Sequence, residues 1–390
     1  MPGPLAGIKV LDLTSVVSGP LATMFLADQG AEVIKIEPLG GDITRHSRQS
    51  VSASGEFSAL FVSTNRGKHS LSLDLKRPEA AEFVLELAEK ADILFEGLRP
   101  GVMERLGIGP EPCLSRNPRL VYGRITGWGQ TGPLASQAGH DINFIGLSGA
   151  LAMVGRHGEK PLPPANLVGD FGGGGMVLAL GILAAVIHSR ATGSGQVIDA
   201  SMVEGSALLT AMHHSLREMG VVHEERGVNA YDTGAHFYEV YETSDGRFMA
   251  VGAVEPGFYR AFLSGANLDP DRFANQMDEA LWPQLKREVE AVFKTKTQDE
   301  WCAIFSGVDA CVSPVLSPSE APQHPHNIAR GSFIGVDGVV QPAPAPRFSR
   351  TPTTVRHGAP ALGEHGQEAL DDWGIDAELT KLTRQQGVLG

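Results

Sequence analysis

Cysteine is scarce in this 390-residue chain, and the three present, Cys113, Cys302 and Cys311, share no C-x-x-C spacing. Neither a disulfide framework nor a thiolate zinc site is therefore expected, and no residue is assigned to a metal. Positive charge is also short: 32 Lys and Arg against 45 Asp and Glu give 32 − 45 = −13, which argues against a nucleic-acid or anionic-membrane surface. The N-terminal "MPGPLAGIKVLDL" has no basic stretch leading into a long apolar one, so no signal peptide is expected and a reducing cytoplasm is the simplest compartment. The apolar run from Met176 to Ile187 is about half of the roughly 20 residues a bilayer span needs, and predicts a buried helix. Two nucleotide signatures are missing as well. The first β-α turn, "DLTSVVSGP", has no G-x-G-x-x-G, and Gly175 stands where a P-loop would carry lysine after Gly169 and Gly174.

What is present is an alternation. "GIKVLDL" and "AEVIKIE" are short β-branched runs, with Pro20 suited to open a helix between them and Gly30 to close it. "HSLSLDLK", "ILFEGL" and "RLVYGRITG" repeat the strand pattern around "RPEAAEFVLELAEKAD" and "GVMERLG". Strands alternating with helices predict an α/β, Rossmann-like large domain with a mostly parallel sheet. From about Tyr231 the pattern changes to a hairpin around Ser244-Asp245-Gly246 followed by helical stretches, a smaller α+β domain. The expected boundaries are 1–225 for the large domain, completed by 326–390, and 226–325 for the small one. The Pro-rich segments beyond Val315 read as long surface connections to a final helical pair.

Three places carry candidate chemistry. "NLVGDFGGGGMVLALGILAAV" sets Asp170 before four glycines at the start of an apolar helix. An aspartate there suits an N-cap, but a cap needs no glycine run, and each glycine costs about 1 kcal/mol against alanine inside a helix. A ligand pressed against a helix N-terminus does need them, and the free N–H groups there suit developing negative charge. In "AGHDINFIGLSGAL", His140 and Asp141 precede an amphipathic stretch, and histidine is the commonest acid or base near neutral pH. In "VGAVEPGF", Glu255 follows a predicted strand.

From "PLAGIKVLDL" to "APRFSRTP" the chain resembles the family of class III CoA-transferases (CaiB/BaiF type) and α-methylacyl-CoA racemases. The resemblance rests on "GPLATMFLADQGAEVIKIEP", "NRGKHSLSLDLK", "EGLRPGVMERLG", "ITGWGQTGP", "GHDINFIGLSGAL", "LVGDFGGGGM" and "GSGQVIDASMVEG". It implies that Asp170 is the main catalytic residue. In the racemase branch His140 stands across the α-carbon from Asp170, Glu255 orients the imidazole, and the Asp141 backbone N–H stabilises an enolate oxygen. Such a donor is typically worth around 3 kcal/mol. In the transferase branch Asp170 is instead a nucleophile on the thioester. His140, where transferases usually carry Tyr or Phe, favours racemisation of a 2-methyl branched acyl-CoA. The resemblance further implies that no cofactor is required beyond the CoA moiety of the substrate, and that the chain forms an intertwined homodimer in which Glu255 would reach the partner's site. It places Arg66, Leu75, Lys76, Gly97, Leu98, Arg99 and Arg105 in the CoA-binding loops. Family members often show Arg just after the acid of the second strand; here Glu37-Pro38-Leu39 follows, leaving Arg45 or Arg48 to replace that phosphate contact.

Overall fold

The computed structural model describes residues 3–47 and 58–390. Backbone contacts divide it into two compact units. The larger comprises Met1–Ser148, Ala165–Leu209 and Gly331–Gly390, the smaller Gly149–Pro164 and Thr210–Arg330. The stretches 149–164, 210–225 and 326–330, expected in the large domain, thus group with the small one.

In the larger unit, β1 (Lys9–Leu13), α1 (Ser18–Asp28) and β2 (Glu32–Glu37) form the first β-α-β unit. They are followed by α2 (Ala59–Asn65), β3 (His69–Ser72), α3 (Pro78–Lys90), β4 (Ile93–Glu96), α4 (Val102–Arg105), α5 (Pro110–Arg116) and β5 (Val121–Thr126). Then come α6 (Asp141–Leu147), α7 (Val177–Thr192), β6 (Gln196–Ser201) and α8 (Met202–Leu209). The strands make one parallel six-stranded sheet in the order β3-β2-β1-β4-β5-β6, the Rossmann order. Successive residues of a strand face opposite sides, and both sides are covered. Leu11, Ile34 and Leu94 accordingly join one core with Phe83 and Leu87 of α3, while Val10, Val33, Ile93 and Phe95 join another with Leu26 of α1 and Ile182 of α7.

The smaller unit carries α9 (Ala211–Glu218), β7 (Tyr238–Glu242), β8 (Phe248–Gly252), α10 (Pro256–Gly265), α11 (Trp282–Phe293), α12 (Gln298–Phe305), β9 (Val312–Pro314) and α13 (Pro325–Arg330). The β7-β8 hairpin turns at Gly246, whose φ of 73° only glycine adopts at no steric cost. An aromatic core of Phe237, Tyr241, Phe262, Phe293 and Trp301 lies beneath it.

The chain then returns to the larger unit with a second hairpin, β10 (Phe333–Val336) and β11 (Val339–Pro342), inside a stretch expected to lack regular structure. Helices α14 (Gly366–Trp373) and α15 (Ala377–Gln385) complete the fold. This return covers the exposed side of the edge strand β3. The Gly67 and Ser70 N–H groups donate to the carbonyls of His357 and Glu364, and Leu73 bridges to Leu389. An edge strand left open would be a template for aggregation.

Candidate active site

The start of α6 is set by Phe144. Its ring is buried where a Cβ on Gly127 would lie 2.1 Å from it and one on Gly139 2.6 Å, and Trp128 meets it edge-on at 4.8 Å between centroids. Those glycines, quoted in two separate motifs, exist to admit one aromatic side chain. His140 then becomes the N-cap of α6 with an extended backbone, its N–H donating to the Asn143 side chain at 3.0 Å. Its imidazole is exposed, whereas Asp141, the first residue of the helix, is 6% exposed.

The glycine-rich segment departs from expectation. Leu167–Met176 is a π-helix that runs directly into α7, so Asp170 lies inside a continuous helix rather than at its cap. The wider i→i+5 turn of a π segment commonly marks a functional position. The glycines also serve a different purpose from the one expected. A Cβ on Gly173 would lie 2.5 Å from the Ser206 nitrogen, one on Gly175 2.7 Å from the Ser18 carbonyl oxygen, and one on Gly205 of α8 1.9 Å from the Gly173 carbonyl oxygen. Gly173, Gly174 and Gly175 are buried and let α8 and α1 close on the helix that carries Asp170.

Leu167–Thr192 is a 26-residue helix long and apolar enough by composition to cross a membrane. That corrects the half-length run expected from sequence. Leu178, Ile182 and Ala185 nevertheless pack it into the core behind the sheet.

Asp170 and the start of α6 are joined by one bond. The Asp170 N–H donates to Asp141 Oδ1 at 2.7 Å. A Cβ on Gly169 would lie 2.5 Å from that oxygen, so glycine is required there for the carboxylate to approach. Asn166, one turn before Asp170, donates its Nδ2 to Asp170 Oδ2 at 3.2 Å. Burial pushes the Asp170 carboxyl above the ordinary aspartate range, helped by the Asp141 charge and opposed by Asn166, His140 and Ser18. Through the Asp170 N–H bond to the Asp141 side chain, Asp170 is tied to the residue next to His140.

Asn166, Ser18 and the Asp141 side chain were not foreseen. Asn166 carries a weak signal, its spacing of four from Asp170 in a helical segment. Ser18 is the first residue of α1, and nothing local in its sequence marks it. Glu255, exposed, is the N-cap of α10 in the smaller unit, with Pro256 at the first helical position.

The residues expected to hold CoA divide into two groups. Gly97, Leu98 and Arg99 leave the C-terminal end of β4, Arg105 follows in α4, and Leu75 and Lys76 follow β3. A Cβ on Gly97 would be 3.4 Å from Ile125 of β5 and 3.8 Å from Thr14 beyond β1. The loop therefore lies where the strand order reverses, the usual ligand crevice of such a sheet. Lys76, Arg99 and Arg105 are exposed and enter no ion pair among the described residues. Arg66 belongs elsewhere. It is 3% exposed and binds both oxygens of Asp28, at 3.0 and 2.7 Å, as well as Gln341 Oε1 and the Pro342 carbonyl. Four of its five N–H groups hold the fold together. Arg45 is likewise occupied by Glu37, at 2.6 and 2.7 Å, and Arg48 lies outside the described residues.

A Rossmann-ordered α/β protein, with a histidine at one helix start whose neighbour Asp141 binds a half-buried aspartate on a glycine-packed helix, defines the class. Residues 5–366 match CoA-transferase family III, and the chain belongs to that family. It is 45% identical over 377 residues to a mouse α-methylacyl-CoA racemase (96% of this chain, 94% of that protein) and 45% identical over 376 residues to the human one, with the same coverage. Among solved structures, a CaiB/BaiF family protein from Brucella suis superposes with a TM-score of 0.84 at 28% identity, covering 96% of this chain and all of that one.

Proposed function

We propose that the protein racemises 2-methyl branched acyl-CoA thioesters by two-base proton transfer. The observation that carries this is a half-buried Asp170, its carboxyl raised by burial and by the Asp141 charge, whose N–H is bonded to the side chain of Asp141, the residue next to His140. Removing a weakly acidic α-proton from one face and returning one to the other needs two groups of similar proton affinity on opposite sides of the carbon. In one direction neutral His140 takes the proton while protonated Asp170 delivers its own; in the other the roles exchange. The enolate oxygen formed between the two transfers is met by the Asp141 N–H at the start of α6, an orphan donor of the first turn. Glu255 orients the imidazole. The identities to mouse and human racemases support this reading, and the reaction as written needs no group beyond the CoA thioester itself.

Lys76, Arg99 and Arg105 would receive the CoA phosphates, with Leu75, Gly97 and Leu98 beside the nucleotide. We further propose a homodimer. The outward face of the continuous helix through α7 supports it, because Met176, just before α7, and Leu180 and Ile187 within it are 57, 69 and 71% exposed and fall on one side.

The competing chemistry is CoA transfer between carboxylic acids, in which Asp170 attacks the thioester carbonyl and forms an acyl anhydride. Incubation with a 2-methylacyl-CoA in deuterated water decides between them. Racemisation predicts deuterium at the α-carbon without any acceptor acid. Passage of CoA to an added carboxylate with no α-exchange would overturn the proposal.

A further inference from the structure

Three histidines far apart in the chain converge beside the edge strand of the large sheet. His69 opens β3, His357 lies in the returning C-terminal segment, and His365 caps α14. One ring nitrogen from each lies within 4.8 Å of those of the other two. His69 Nδ1, His357 Nε2 and His365 Nδ1 are all shielded from solvent, and none has a hydrogen-bond partner among the described residues. Buried polar atoms are nearly always paired, so three orphans on three rings this close together need an explanation.

The tautomer of one ring is fixed. His357 Nδ1 lies 2.9 Å from the Gly358 carbonyl oxygen, which can only accept, so the proton sits on Nδ1 and Nε2 is left with a free lone pair. A ring N–H anchored on a backbone carbonyl is the usual support of a metal-ligating imidazole.

We propose that His69, His357 and His365 form a structural site for a borderline divalent transition-metal ion of the Zn²⁺ type. Imidazole nitrogen suits Zn²⁺, Ni²⁺ or Cu²⁺ and not Mg²⁺ or Ca²⁺. Tetrahedral ligation at the usual Zn–N length needs nitrogens about 3.3 Å apart, so modest ring rotations would close the present spacing. The ion would fasten residues 357–365 to β3, at the place where the returning chain already covers the sheet edge through the Gly67 and Ser70 N–H groups.

The test uses tag-free full-length protein, stripped with chelator and dialysed against Zn²⁺. One ion per chain is expected, with a rise in Tm that Mg²⁺ does not reproduce. His357→Gln and His365→Asn should each weaken binding on the order of tenfold or more while leaving the far-ultraviolet circular dichroism unchanged; asparagine tolerates the left-handed backbone at 365, where φ is 60°. X-ray absorption of the Zn²⁺-loaded wild-type protein should count three imidazole ligands, a readout that survives any folding defect in the variants. No saturable binding by the wild type, unchanged affinity in folded variants, or fewer than three imidazoles around the ion would each overturn the proposal.

Discussion

At the scale of single residues, the site works against the stability of the chain. The Asp170 carboxyl is raised by burial, so the folded state holds its proton more tightly than the unfolded chain. The stability this contributes is full below the unfolded pKa and is lost as pH rises through the folded one, so at neutral pH the ionised carboxylate is a net cost. Asp170→Asn keeps the shape, the bond to Asn166 and the N–H to Asp141, and removes that charge. It should reduce α-exchange by a factor on the order of 10²–10⁴ while raising Tm at pH 7, a gain that shrinks as the pH falls toward the acid range. A fall in Tm at pH 7 would show that the carboxylate is a structural anion instead. Arg66 makes the opposite case. Breaking its buried pair with Asp28 strands a charge, so Arg66→Ala should cost about 3–5 kcal/mol in urea unfolding, with the KM of whatever enzyme remains little changed. A large rise in KM at unchanged stability would return Arg66 to the CoA site.

At the scale of elements, the sequence was most legible where a period governs. Strands β1 to β5 and helices α3, α11 and α12 fall where β-branched runs and helical spacing placed them, because each buries a face of fixed periodicity. β6 was quoted only as part of a motif: Gln196 and Val197 are exposed, and an edge strand lacks the continuous apolar run of its neighbours. β10 and β11 were hidden among prolines that read as loop. The glycine run was noticed but misassigned, since a sequence shows that something approaches a backbone without showing what. Here it is another helix. The packing makes a prediction: although alanine is the better helix former by about 1 kcal/mol, Gly173→Ala and Gly205→Ala should each destabilise by roughly 1–3 kcal/mol, because the new Cβ meets rigid backbone. Denaturant midpoints at unchanged m would measure it. A stabilised Gly173→Ala protein that lost only substrate affinity would restore the ligand explanation. His140 and Asp170 were singled out by residue type and resemblance, whereas the bond from Asp170 to the Asp141 side chain was legible only in three dimensions. That link depends on Gly169 having no side chain and Phe144 having a slot.

At the scale of the whole molecule, the open question is which chain completes each site. His140 and Asp170 belong to one compact unit and Glu255 to the other, and in the proposed homodimer Glu255 serves the partner's substrate. His140→Ala and Glu255→Ala homodimers should each be nearly inactive. In a mixed dimer with Glu255 acting across the interface, one site combines both defects, but the other joins an intact His140 to an intact Glu255. If Glu255 acts within its own chain, both sites of the mixed dimer carry one defect and neither works. Unfolding the two variants together and refolding them produces half mixed dimers, each with one good site of two, so about a quarter of wild-type α-exchange should return. Refolding each variant alone should return none. Activity absent from the mixture, with mixed dimers verified by mass, would show that each chain supplies its own glutamate. The isologous symmetry of the dimer would then serve stability through the apolar face of α7 and leave catalysis to the single chain.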